Sequence, residues 1–151
     1  TWGTNIFEQI NWWAPINNLD QTNTLIFYPE YFNQPIKNTT STWDLNTYFK
    51  KRKLGEFNYP SAPQLLEDLK KETKTIRVDI HPGEILCFSG NHLHSSTKEN
   101  SNTSRFSYEI RTVSDSDIKG KKYAPNVDCA LKVKYPKIFK HMVTKNILEI
   151  N

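Results

Sequence analysis

The stretch PGEILCFSGNHLHSSTKENSNTSRFSYEIRT, from Pro82 to Thr112, determines the fold and indicates the chemistry. It opens with Pro-Gly, whose backbone preferences suit a tight turn. Residues 84–89 follow, with an apolar run from 85 to 88, and predict a strand that ends at a Gly-Asn pair. Residues 106–113 alternate apolar and polar side chains, which is typical of a half-buried strand. The stretch therefore predicts two strands joined by a polar connection that carries two histidines.

Similar strand-like segments, separated by turn formers, occupy much of the remaining chain. Strands are predicted at 6–16, 24–28 and 75–80, and short helices at 43–49, from Ser61 onward and at 135–143. Many short strands with small helices favour an all-β sandwich or barrel. We found no internal repeat and no sign of a second domain, so residues 1–151 are interpreted as a single domain.

Composition and charge exclude several classes of protein. The net charge is +4, and the basic run at 50–53 is interpreted as solvated surface rather than a nucleic-acid site. No stretch of about 18 apolar residues could span a membrane. The two cysteines, Cys87 and Cys129, predict no disulfide framework, which favours a reducing compartment and hence the cytoplasm. Cys87 lies in an apolar run and is expected to be buried.

Three side chains between the two central strands suggest a site for a chelating acid. His94 precedes Arg105 by eleven residues, and Ser107 follows two residues later. A neutral imidazole is a good ligand for iron(II), and a guanidinium can grip a carboxylate with two parallel hydrogen bonds. Ser107 shares the strand parity of Arg105, so both side chains point the same way. The spacing would thus place a metal ligand near a carboxylate-binding pair.

This segment resembles the distal-histidine motif of the phytanoyl-CoA dioxygenase-like branch of the iron(II)- and 2-oxoglutarate-dependent oxygenases. The resemblance implies an all-β core folded as a double-stranded β-helix, that is, a cupin-like jelly roll with small helical insertions. It also implies that His94 is the metal ligand, that Arg105 binds the remote carboxylate of 2-oxoglutarate, and that Ser107 and Ser96 assist. His92 is the rival ligand, although the offset to Arg105 favours His94.

The resemblance extends towards the N-terminus through Gln-Ile-Asn-Trp-Trp-Ala-Pro-Ile at 9–16. It implies that Asn11, Trp13 and Gln9 face the substrate or cosubstrate pocket, although Gln9 and Asn11 could equally point to solvent at a sheet edge. Residues 33–74 are expected to form an insertion or lid over the mouth of the pocket. They contain nothing that identifies the substrate.

One element of the family pattern is absent from the sequence. The other two metal ligands would come from a His-x-Asp or His-x-Glu motif, and the chain contains none. We therefore expect that motif, and the N-terminal strands of the jelly roll, to lie upstream of Thr1 in a longer parent protein. The chain by itself is then expected to bind metal poorly and to be inactive. Exposed strand edges would favour a homodimer.

The function implied by the resemblance is iron(II)- and 2-oxoglutarate-dependent hydroxylation of a small organic substrate by the parent protein. Two alternatives come from different classes of protein. One is a non-catalytic cupin-like or lectin-like jelly roll that binds a small polar ligand or a sugar. The other is an interaction or nucleic-acid module driven by the basic charge, which would bind with steep salt dependence.

Overall fold

The computed structural model describes residues 6, 8–97, 103–120, 128–131 and 136–148, and within them the chain is rich in β-structure. The strands are β1 (Ile10–Pro15), β2 (Leu25–Phe27), β3 (Ile76–Arg77), β4 (Leu86–Ser89), β5 (His94–Ser96) and β6 (Ser107–Thr112). The helices are α1 (Leu45–Lys53) and α2 (Asp115–Gly120), with 3-10 turns at Pro29–Tyr31 and Pro136–Ile138. The predicted β-rich class is confirmed.

Two antiparallel sheets of three strands form the framework. Sheet A has the order β4-β1-β6, and sheet B has the order β3-β2-β5. In sheet A, Trp13 lies opposite Leu86 on one side and Glu109 on the other. Directly paired residues point to the same face of an antiparallel sheet, whereas neighbours along a strand point to opposite faces. The register therefore decides which side chains of each strand share a face.

The inner faces of the two sheets enclose the main core. Trp13 and Phe88 from sheet A meet Leu25 and Phe27 from sheet B, and Ile80 completes the cluster. The rings of Phe27 and Phe88 meet edge to face, with centroids 5.1 Å apart and planes at 82°. Such contacts add to the burial of apolar area. The aromatic residues thus hold the sheets together at the level where β5 begins.

The outer face of sheet A is apolar and exposed. Ile10, Trp12 and Ile110 share this face, and each side chain is at least 37% exposed. Cys87 lies opposite Trp12 and is exposed too, so the expected burial of its thiol is wrong. The apolar run had suggested burial on both faces, but strand parity turns Cys87 outward because Phe88 occupies the inner face.

The segment 33–74 is only partly helical. Helix α1 starts at an N-cap, where the Asp44 carboxylate accepts a hydrogen bond from the Thr47 amide at 2.7 Å. The helix predicted from Ser61 onward does not form. Instead, Leu65 makes an isolated β-bridge with Asn38, and the Leu66 amide donates to the Lys37 carbonyl at 2.9 Å. These long-range backbone bonds satisfy groups that a helix would have used locally, and so override the helical pattern of leucines.

Residues 128–131 pack against the beginning of the same segment. The Ile36 amide donates to the Asp128 carboxylate at 3.2 Å, and the Ala130 amide donates to the Thr40 hydroxyl at 2.7 Å. Burial raises the pKa of the Asp128 carboxyl. No helix in the described part of the chain has the length and apolarity to cross a membrane.

Truncation of Phe27 should destabilise the protein strongly. Phe27 contacts Phe32, Phe88 and the His94 ring, so Phe27→Ala leaves a cavity in the core. We expect a loss of roughly 3–5 kcal/mol in the free energy of unfolding, measured by urea denaturation. Phe49→Ala removes a ring that is 50% exposed, and should cost far less. Equal losses in the two variants would contradict the assigned core.

Self-association is the second expectation from the fold. Strands β5 and β6 lie at the edges of their sheets among the described strands, and Ile110 of β6 is 56% exposed. Unpaired edges beside exposed apolar side chains favour pairing with another chain. We predict dimers in analytical ultracentrifugation that Ile110→Lys weakens and Ile147→Lys, at an exposed site outside the two sheets, does not. A purely monomeric wild-type protein at high concentration would refute this prediction.

Candidate functional site

His94 lies at the first position of β5 and faces the interior between the sheets. It pairs with Phe27 across sheet B, so the two rings share the inner face. The imidazole stacks on Phe27 at a centroid distance of 5.4 Å and meets the edge of Phe88 at 5.0 Å. The two phenyl rings therefore fix the orientation of the imidazole plane.

The hydrogen bond of Nδ1 determines the tautomer of His94. Nδ1 is 2.7 Å from the carbonyl oxygen of His92. A carbonyl oxygen can only accept, so Nδ1 carries the proton and Nε2 keeps its lone pair. Burial lowers the pKa of His94 to about 3, and the nearby charge of Arg111 lowers it further. His94 is thus a neutral imidazole, and the described residues offer no hydrogen-bond partner to Nε2.

Arg105 brings a guanidinium to the same interior, just before β6. Nη2 donates to the Ser96 hydroxyl at 2.7 Å, and Nη1 donates to the Thr24 carbonyl at 3.1 Å. The guanidinium carbon is 5.8 Å from the centroid of the Trp13 ring, within the range of a cation–π contact. Burial lowers the pKa of Arg105, yet the group stays protonated. None of the described carboxylates forms an ion pair with it.

Two asparagines hold the backbone on either side of Arg105. The Asn17 side chain donates to the Ser104 carbonyl at 3.0 Å and accepts from the Phe106 amide at 2.8 Å. The Asn23 side chain donates to the Thr103 carbonyl at 2.7 Å. The sequence indicated no role in the site for either side chain. Their positioning role could not be predicted because 80 or more residues separate each of them from its partner.

The predicted pocket residues in β1 and immediately before it point inward. Gln9, Asn11 and Trp13 are 2%, 0% and 4% exposed, which rules out the alternative that the two amides face solvent. The Gln9 amide donates to the Asn11 carbonyl oxygen at 2.7 Å, and the Asn11 Nδ2 has no partner in the described part of the chain. A buried amide without an acceptor is costly. Gly90 allows the close approach, because a Cβ there would lie 2.9 Å from the Gln9 nitrogen.

The remaining predicted residues are placed less centrally. His92 stacks on Phe32 with centroids 3.9 Å apart, and burial lowers its pKa. Ser107 pairs with Pro15 and so faces inward, but it is exposed and makes no hydrogen bond to Arg105 in the described structure. Arg111 pairs with Asn11 on the inner face of β6, where it is exposed and forms an ion pair with Glu109.

A cavity of about 720 Å³ adjoins His94. Residues 92–95 form one wall, and residues 62–69 of the predicted lid segment form the opposite wall. Ser96, two residues beyond His94, is outside this lining and holds Arg105 instead. Two residues of a strand span about 7 Å. The cavity thus adjoins His94, and the next residue on the same face of β5, Ser96, bonds the guanidinium.

The described residues fit a carboxylate but do not complete a metal centre. A half-buried guanidinium with no anionic partner, next to a serine hydroxyl, is the donor set that a carboxylate needs. His94 has the protonation state and fixed tautomer of a metal ligand. However, no group of three His, Cys, Asp or Glu side chains that could hold a metal ion occurs among the described residues.

No family model, curated protein or solved structure matched this chain. The chemistry of the site is therefore inferred from its geometry.

The neutral, buried state of His94 predicts a specific dependence of stability on pH. Because the folded pKa of about 3 lies below the ordinary 6.5, the unfolded chain binds more protons between these values. Stability is then lost as the pH falls through this window, by roughly 4–5 kcal/mol at most. His94→Phe should flatten the dependence in urea titrations at several pH values.

His81→Gln is the matched control. His81 is an exposed turn residue outside the interior between the sheets, so its replacement should leave the loss of stability that is due to His94 in place. Parallel curves for wild type and His94→Phe would show that His94 is not buried in its neutral form.

Proposed function

We propose that this chain forms the cosubstrate-binding jelly-roll part of an iron(II)- and 2-oxoglutarate-dependent oxygenase of the phytanoyl-CoA dioxygenase-like type, which hydroxylates a small organic substrate. The observation that carries the proposal is the order of groups along β5. The cavity adjoins His92 and His94, and Ser96 holds Arg105. Such an enzyme needs a substrate space, a metal ligand and a diacid-binding cation in this order.

The strand pairing supports the jelly-roll part of the proposal. A jelly roll is an eight-stranded double sheet in which a long hairpin is rolled up, so that strands far apart in sequence pair. If β1 to β6 are the third to eighth strands, the rolled hairpin requires the pairs β1–β4, β1–β6, β2–β3 and β2–β5. All four pairs occur, and all are antiparallel.

Arg105 would bind the remote carboxylate of 2-oxoglutarate. Its guanidinium is oriented by the Thr24 carbonyl and the Trp13 ring, so little side-chain freedom remains to be lost on binding. The Ser96 hydroxyl already lies at hydrogen-bond distance from Nη2 and could turn to donate to the same carboxylate. Asn11 offers a further buried donor on the inner face.

His94 would be one ligand of the iron. Its Nε2 lone pair and its hydrogen bond from Nδ1 to a backbone carbonyl are the features that orient ligating histidines. The described residues provide no second or third ligand, so they do not form an iron site by themselves. The remaining ligands would have to come from residues outside the described set.

A non-catalytic jelly roll that binds a small carboxylic acid is the second candidate. The absence of a three-ligand group among the described residues favours it. The two candidates share the carboxylate site at Arg105, and they differ in whether iron(II) contributes to binding. Tighter binding of 2-oxoglutarate than of glutarate, only when iron(II) is present, would favour the oxygenase, because the keto group chelates the metal.

Loss of the guanidinium should abolish most of the affinity for the diacid. We expect Arg105→Gln to weaken binding of 2-oxoglutarate at least tenfold, since a hydrogen bond to a charged group is worth about 1.5–3 kcal/mol. Saturation-transfer NMR with the full chain measures this change. Arg77→Gln is the matched control, because Arg77 bonds the Gln21 carbonyl away from the site. Unchanged affinity in Arg105→Gln would refute the carboxylate site.

A further inference from the structure

We infer that the cavity beside His94 accepts an organic cation with an apolar body, and that Asp68 faces its positive group. That this cation is the substrate of the enzyme rests on the proposed function. The selectivity of the cavity for cations is independent of that function, and it can be tested without iron and without 2-oxoglutarate.

The size of the cavity suits a small molecule. Its volume of about 720 Å³ lies within the range of roughly 300–1,000 Å³ that is usual for small-molecule sites. The largely enclosed His94 ring forms part of its wall, and no described residue bonds Nε2. The cavity therefore adjoins the residue that we propose as an iron ligand.

The fixed charges of the lining are negative. Glu67 and Asp68 line the cavity, whereas none of the described lysines and arginines does. The Glu67 carboxylate already accepts from the Lys37 amide and lies 4.0 Å from its ammonium group. Asp68 has no such partner among the described residues, so its charge is available to a ligand.

Most of the remaining wall is apolar. Leu65 and Leu69 from the lid segment line the cavity together with Leu93 and Tyr28. These side chains belong to a second apolar cluster around Tyr31, Ile36 and Leu93, which holds the lid segment against β5. The aliphatic or aromatic part of a ligand would be removed from water when it packs against these side chains. The Asp68 carboxylate would repel an anion, whereas it would attract an ammonium group.

Three probes of equal length test the inference: hexylammonium, hexanol and hexanoate, each titrated into the full chain and followed by saturation-transfer NMR. We expect hexylammonium to bind about three- to tenfold more tightly than hexanoate at low ionic strength, as a partly exposed charge allows. The difference should shrink at high salt. Asp68→Asn should reduce the ratio to about one, and Asp79→Asn, an exposed acid outside the lining, should leave it unchanged.

The failures of the two proposals are distinguishable. If hexanoate binds as tightly as hexylammonium, or if no probe binds while 2-oxoglutarate still does, the inferred cation site is wrong and the proposed function stands. If the cation selectivity depends on Asp68 but 2-oxoglutarate does not bind, the cavity is an organic-cation site and the proposed oxygenase function fails. Arg105→Gln should leave the hexylammonium affinity unchanged.

Discussion

The alternation of side chains along paired strands is the constraint on which the site depends. The inner face of β1 carries Asn11 and Trp13, and the inner face of β5 carries His94 and Ser96. Because the two sheets enclose one interior, an imidazole from sheet B and a guanidinium at the edge of sheet A are directed into the same space. A register shift of β1 by a single residue would turn Asn11 and Trp13 outward and bury Trp12 instead.

This arrangement places polar groups where a protein optimised for stability would have apolar ones. His94 is held neutral between phenyl rings. Among the described residues, the half-buried Arg105 has no anionic partner and the Asn11 amide nitrogen has no acceptor. Each feature opposes folding, since burial penalises charged and unpaired polar groups. The aromatic core around Phe27 offsets these terms. Local violations of the packing rules are expected where a protein binds a ligand.

Part of the site was predictable from the sequence. The apolar runs and turn residues predicted strands close to β1, β2, β4 and β6, and the resemblance of the segment around His94 and Arg105 selected the two residues that the structure brings into one interior. The sequence had left it undecided whether Gln9 and Asn11 are buried, because an amide side chain on a strand suits either face. The helix expected from Ser61 was wrong, because bonds to residues 37–39 replaced its local ones.

By itself, the sequence determined the strand periodicity, the Pro-Gly turn and the pair of residues with metal-ligand and carboxylate-binding chemistry, because these are local properties of short segments. Only the tertiary structure decided that the His92 carbonyl fixes the His94 tautomer, that Asn17 and Asn23 hold the backbone around Arg105, and that residues 62–69 form the wall opposite His94. The asparagine and wall contacts join residues far apart in the chain, and no local pattern encodes such pairings. They exist because two sheets must bury a common face.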